Sequence, residues 1–222
     1  MPLLLTEASL KTRIKELILL IILFITVELG LKLSFNYLIV DWTYGLKSLV
    51  LIPTRYLFLL GISYFIIQRP IALFDRSTVR VYLKALLFMF GLMILANMIN
   101  FLIDQYLFEN WRKVPDLELS KFKMLFLAVI LAPIVEELFF RGIILGQLLL
   151  IFNRNQWIAI VIGGLIFGAV HGGSSHILFN CVMGIGYCFL YWKTKNITIT
   201  MFCHCMQNLI VFIAKFYMFT PD

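Results

Sequence analysis

Two adjacent carboxylates and an arginine, Glu136, Glu137 and Arg141, sit within a run from Met124 to Phe152 that otherwise reads as a membrane-spanning helix. Even on lenient insertion scales a charged side chain at the bilayer centre costs about 2.5–3.5 kcal/mol. Three such residues so close together point to chemistry rather than architecture. On a helix Glu137 and Arg141 are i,i+4 neighbours in the favourable orientation, so they can pair. Glu136 then points about 100° away from that pair. A buried carboxylate in that position suits a general base for water.

Two further stretches place polar groups in apolar surroundings, Phe167-x-x-x-His171 and His204-x-x-x-Asn208. The second puts His204 and Asn208 on one helix face, one turn apart. Two histidines and an acid from separate helices can hold a divalent cation such as zinc, here His171, His204 and Glu136. Asn208 would then add a carbonyl ligand or donate to an oxyanion. Alternatively, Glu136 and His171 polarise water without metal, and His204 with Asn208 stabilises the oxyanion. The metalloprotease signature HExxH is absent, which leaves metal and water activation both open. His176 shares a turn with His171 and is a lesser candidate ligand. Arg55, beside Pro53, reads as structural or snorkelling rather than catalytic. Asn97 and Asn100 read as interhelical hydrogen-bond donors.

Cysteines 181, 188, 203 and 205 lie in apolar runs without CxxC spacing. Cys203 and Cys205 flank His204, but consecutive helical side chains diverge by about 100°, so the triplet cannot converge on one ion. They read as small buried apolar residues.

Helices must carry all of this. The 222 residues are 62% hydrophobic and 14% charged, with mean hydropathy +0.95; soluble domains are about half apolar and a quarter charged. Apolar runs of about 20 residues predict an all-α, polytopic membrane helix bundle of about seven, or eight, transmembrane helices. The expected spans are 17–33, 46–67, 81–103, 122–152, 157–170, 177–192 and 197–219, in a single integral domain over 1–222. The net charge of +7 is spread over loop ends. That is the positive-inside pattern of a bilayer protein and not a nucleic-acid patch.

The fourth helix would run about 45 Å at 1.5 Å per residue, so it must tilt, kink or protrude, and Pro133 is the expected kink. The two spans after it are short for a bilayer, which sinks the His171–His176 turn among neighbouring helices. Gly142/Gly146, Gly164/Gly168, Gly184 and Gly186 read as packing glycines that let helices approach. Glu136 lies about 21 Å into its helix and His204 about 12 Å from the opposite end of its own, and these depths nearly coincide in a core about 30 Å thick. His171 fits that depth only if the short fifth span is displaced.

Three motifs on three spans, in this order, resemble the CAAX-protease and bacteriocin-processing (Abi) family of intramembrane endopeptidases. The family pattern is a double glutamate with a trailing arginine, then Phe and His at spacing four, then His and Asn at spacing four. Glu136, Glu137, Arg141, Phe167, His171, His204 and Asn208 match it, and the resemblance covers about 122–216. It implies an endopeptidase cutting peptide or lipidated protein substrates near the membrane surface. Eukaryotic relatives trim the last three residues of prenylated proteins. Bacterial relatives are linked to bacteriocin maturation or self-immunity, signalling-peptide processing and regulation of sensor kinases. Compact size suggests a bacterial member in the plasma membrane. The rival readings are a catalytically silent scaffold that binds a membrane sensor or transporter, and a small transporter. The latter lacks paired inverted halves, because the polar residues cluster in the second half.

Overall fold

The computed structural model describes residues 10–37, 54–55, 57–62, 77–107, 125–171 and 177–214. The described elements are helical, and no strand occurs among the described residues. In chain order they are α1 (Leu10–Tyr37), α2 (Val79–Leu107), α3 (residues 125–151), α4 (Gln156–Val170), α5 (Ile177–Thr194) and α6 (Ile197–Ile213). The expected second span is described only at 54–55 and 57–62, which are helical. His176, in the turn between α4 and α5, lies outside the described residues, as does the end of the expected last span after 214.

The surface is inverted relative to a soluble protein. On α2, Leu83, Leu87 and Phe101 are more than half exposed, whereas Glu137 and Arg141 on α3 have no exposure at all. Large apolar side chains facing outward around fully buried charges are favourable only where the surroundings are themselves apolar. This is a membrane protein. Among the described residues one helix, Val79–Phe101, is by itself long and apolar enough to cross a bilayer, at mean hydropathy 1.9. Gln156–Val170 and Ile197–Ile213 are apolar but shorter.

Helix α3 changes its winding three times. A π-helical stretch (Leu125–Leu131) leads into an α-helical segment (Ala132–Glu137), a second π-helical stretch (Leu138–Leu145) and a final α-helical segment (Gly146–Ile151). Pro133 explains the first change. In the i→i+5 pattern of a π-helix, the carbonyl of Ala128 would take its hydrogen bond from residue 133, and proline has no N–H to give. The wide winding must stop there. The carbonyl of Ala128 instead accepts from Asn208 Nδ2 on α6 at 2.8 Å. The expected kink at Pro133 is thus a switch of helix type, and it ties α3 to α6.

Helices α4 and α5 pack backbone to backbone. A Cβ added to Gly164 would lie 2.3–2.6 Å from side-chain and backbone atoms of Ile185, and one on Gly184 would lie 2.7 Å from the carbonyl oxygen of Gly164. A Cβ on Gly168 would fall 2.8 Å from the backbone of Cys181. Small residues serve this close approach as expected. Gly146 does not, since a Cβ there meets nothing within 4 Å. Replacing Gly164 with alanine is therefore expected to cost about 1–3 kcal/mol through overpacking, read as a lower Tm in detergent, whereas Gly146→Ala should leave Tm unchanged or raise it.

The α5–α6 corner sets the register of the last helix. Lys195 takes φ 51°. Asn196 caps α6, its Oδ1 accepting from the Thr198 N–H at 3.0 Å and its Nδ2 donating to Ser77 Oγ at 3.0 Å. Such a cap satisfies an N–H that the helix itself cannot. His204 then falls two turns into α6, level with Glu137. One expectation fails on α2: Asn97 Nδ2 donates to Met93 O of its own helix at 2.9 Å, on an exposed face, and bridges to no other helix among the described residues. A side chain one turn from a carbonyl on the same helix needs no second helix to satisfy it.

Candidate active site

The pair predicted from i,i+4 spacing is present: Arg141 Nη1 lies 3.1 Å from Glu137 Oε1, both side chains fully buried. Around it, the Arg141 guanidinium lies over the Phe167 ring at 4.4 Å and the Tyr187 ring at 5.0 Å. Its Nη2 donates to the Gly184 carbonyl at 3.4 Å. The glycine at 184 thus serves twice, for close packing and as an acceptor.

Glu137 has a second role that i,i+4 spacing alone did not disclose. His204 Nδ1 donates to Glu137 Oε1 at 2.9 Å. The ring of Tyr187 stacks on His204 at 5.0 Å and 23°, and the Phe167 ring meets it edge-on at 5.8 Å. His171, just past the end of α4, donates from Nδ1 to the Phe167 carbonyl at 2.8 Å. Phe167 packs against the His171 ring at 4.5 Å and against Phe140 at 5.2 Å. Its place in the motif has a physical reason, since one residue holds His171 by its carbonyl and walls both imidazoles with its ring.

A carbonyl and a carboxylate only accept, so each imidazole spends its Nδ1–H on them and, in the neutral ring, presents the Nε2 lone pair elsewhere. Both turn to Glu136. Its Oε2 lies 3.8 Å from His171 Nε2 and 3.8 Å from His204 Nε2. Three acceptor atoms from three helices face one gap. Such a gap favours a donor or a cation between them.

Either occupant can be tested against the spacing. Oxygen and nitrogen donors of a zinc-type site are of this chemical kind, but bonds of about 2.0–2.1 Å in a tetrahedron put donors about 3.3 Å apart. The 3.8 Å separations are wider, and among the described residues no three His, Cys, Asp or Glu side chains are grouped to hold an ion. The atoms as they stand do not fit a tetrahedral metal. A water there has two O–H groups to give, so it can bridge Glu136 Oε2 and one of the two Nε2 atoms.

These groups line a cavity of about 360 Å³, with Ala128, Ala132, Glu136, Phe167, His171, His204 and Asn208 on its walls. Glu136 and His204 are buried, whereas the His171 side chain is 33% exposed. His171 therefore stands nearest the surroundings. The Gly164 and Gly168 contacts hold α4 close against α5, and the end of this short helix puts His171 Nε2 3.8 Å from Glu136. Asn208 lines the cavity while one N–H bonds Ala128 O, and an amide nitrogen carries a second. Asn208→Leu is expected to orphan that carbonyl and cost about 1–3 kcal/mol, measured as a fall in Tm, whereas an unchanged Tm would show that the carbonyl is satisfied otherwise.

Three cavity residues were not singled out for chemistry. Arg55, read as structural, lines the cavity with Asn180 and Gln207. Only Gln207 carried a sequence signal, three residues after His204 and so on the same face. The cysteines are all free thiols, with Cys188 and Cys203 buried, and none lines the cavity.

Residues 118–210 match the family described as Rce1-like, type II CAAX prenyl endopeptidase. The "Putative membrane peptidase YdiL" of Bacillus subtilis (strain 168) is 35% identical over 119 residues, which is 51% of this chain and 48% of that protein. The "Membrane-embedded CAAX protease MroQ" of Staphylococcus aureus (strain USA300) is 28% identical over 102 residues, 44% of this chain and 40% of that protein. The chain thus matches no more than about half the length of these relatives. No solved structure matches it significantly.

Proposed function

We propose that this chain, whose residues 118–210 belong to the Rce1-like CAAX protease family, is a multi-pass intramembrane endopeptidase of a bacterial plasma membrane. The observation that carries this reading is the convergence of Glu136 Oε2 on the Nε2 atoms of His171 and His204 at one cavity wall. In this mechanism a water donates one O–H to Glu136 Oε2 and the other to one of the two Nε2 atoms. Glu136 takes one of its protons as the water oxygen bonds to the carbonyl carbon of the substrate peptide. The imidazole that takes the second O–H, His171 or His204, orients the water, and each ring is fixed in tautomer by its Nδ1 partner. The free N–H of Asn208 donates to the oxyanion. Glu136 then returns the proton to the leaving nitrogen as the C–N bond breaks, giving a free carboxylate and a free amine.

The substrate is a peptide or lipidated protein segment held at the membrane, and a cavity of about 360 Å³ has room for a few residues rather than a folded domain. The test is hydrolysis of internally quenched peptides in detergent micelles, with and without an S-farnesyl cysteine three residues from the carboxyl terminus. Purified protein is expected to cleave at least one of them, and Glu136→Gln to cleave it at least about a hundredfold more slowly. Cleavage by neither protein would overturn the enzyme reading in favour of a scaffold. Cleavage is also expected to survive a zinc chelator. Loss on chelation with recovery on adding zinc would overturn the water mechanism and assign Glu136, His171 and His204 as ligands.

A further inference from the structure

Gln207 stands on the same face of α6 as His204 and Asn208 and lines the same cavity. Its Oε1 accepts a hydrogen bond of 2.6 Å from the hydroxyl of Tyr187. Tyr187 is fully buried on α5, and the same ring is the one that stacks on His204 and lies under Arg141. One side chain therefore sets the plane of an active-site imidazole and the orientation of its neighbour's carboxamide. The oxygen and nitrogen of a carboxamide diverge by about 120° from their shared carbon, so an oxygen drawn into the α5–α6 interface turns the nitrogen away from it. Gln207 lines the cavity, which gives that nitrogen a place to turn. Asn208 spends one of its two N–H groups on Ala128, whereas Tyr187 engages Gln207 through the oxygen and leaves both N–H groups to other acceptors.

We propose that Gln207 is a substrate-binding residue, its NH2 group donating to a backbone carbonyl of the bound peptide, and that Tyr187 positions it. The proposal rests on the peptidase reading above and adds to it the backbone of the peptide as the thing recognised. A backbone carbonyl is present whatever the side chains, so this contact supports affinity without selecting sequence. It is also the kind of acceptor a peptide loses its water from on entering an apolar cavity, where an unmade hydrogen bond is costly.

The experiment uses the quenched peptide that the wild-type protein cleaves, in micelles of one detergent, with kcat and KM measured separately. Gln207→Leu is expected to raise KM about fivefold to tenfold, the worth of one neutral hydrogen bond, with kcat within about twofold. Gln207→Glu keeps the acceptor for Tyr187 but has no N–H, and should behave like Gln207→Leu. Tyr187→Phe keeps the ring on His204 and removes only the hydroxyl, so it should raise KM less than either. In the double variant Tyr187→Phe, Gln207→Leu the KM should match that of Gln207→Leu alone. An unchanged KM in Gln207→Leu overturns the proposal, as does a double variant whose effects simply add. If instead kcat falls with KM unchanged, Gln207 acts in the transition state and the binding role is wrong. A Tm below wild type in Gln207→Leu would mark a structural role, in which case Gln207→Glu decides, because it preserves the Tyr187 bond. Should the wild-type protein cleave nothing, the peptidase reading falls and this proposal with it, an outcome separate from all of these.

Discussion

Glu136→Gln is expected to lower kcat for peptide cleavage by about 10²–10⁴-fold, with Tm close to wild type. Glutamine matches glutamate in size, so the side chain stays beside His171 and His204, but an amide cannot take a proton from water. The two imidazoles still present their Nε2 lone pairs to the gap, each with its Nδ1–H given to the Phe167 carbonyl or to Glu137, and they set the residual rate. Glu137 cannot replace Glu136, because it is fully buried behind Arg141 and His204, at 3.1 Å and 2.9 Å, and does not line the cavity. A loss smaller than tenfold would place the base elsewhere, and a large fall in Tm would mean that the carboxylate supports the fold and not the reaction. His171→Gln provides a graded comparison. It should reduce kcat less than Glu136→Gln does, because it removes a group that orients water rather than the one that receives the proton.

Arg141→Met is expected to be the most destabilising single change at the site, at about 3–5 kcal/mol. Methionine occupies much of the same volume but leaves the Glu137 carboxylate, fully buried, without its cation. The change also removes a guanidinium from over the Phe167 and Tyr187 rings and a donor from the Gly184 carbonyl. For a chain of this size the loss corresponds to a fall in Tm of about 6–20 °C, readable by thermal unfolding in detergent. Arg141→Lys should recover only part of it, because an ammonium cannot lie flat between two rings while serving two acceptors. A Tm within about 2 °C of wild type in Arg141→Met would show that the pair contributes little to the fold. Activity should fall in the same variant at temperatures where it stays folded, since an unneutralised Glu137 holds His204 differently.

The spacing of Glu137 and Arg141 determined their pairing before any fold was known, because i,i+4 contact is a property of one helix. The same holds for the shared face of His204 and Asn208, and for the all-helical class, which follows from long apolar runs that must satisfy their own backbone. Pro133 likewise announced a break in α3. Its form was not legible, since whether a helix kinks or changes its winding depends on who satisfies the freed carbonyl, and that partner, Asn208, is 80 residues away.

Only the tertiary structure decided which atoms meet. Glu137 could be read as a support for Arg141 alone, yet it also orients His204 from another helix. His171 looked misplaced in depth until the glycines of α4 and α5 let the two backbones close and carried it to 3.8 Å from Glu136. Arg55 and Gln207 belong to the cavity through contacts between elements, which no period along one helix encodes. Asn97 went the other way, satisfied within its own turn. The division has one physical cause. Local spacing sets which side chains share a face of a helix, whereas the closeness of two helices is set by the small residues between them and by who fills the hydrogen bonds they lack. Glu136, the one carboxylate of the opening motif not spoken for by i,i+4 pairing, was legible as the anomaly. The two imidazoles that give it a task were brought to it only by the packing of α4, α5 and α6.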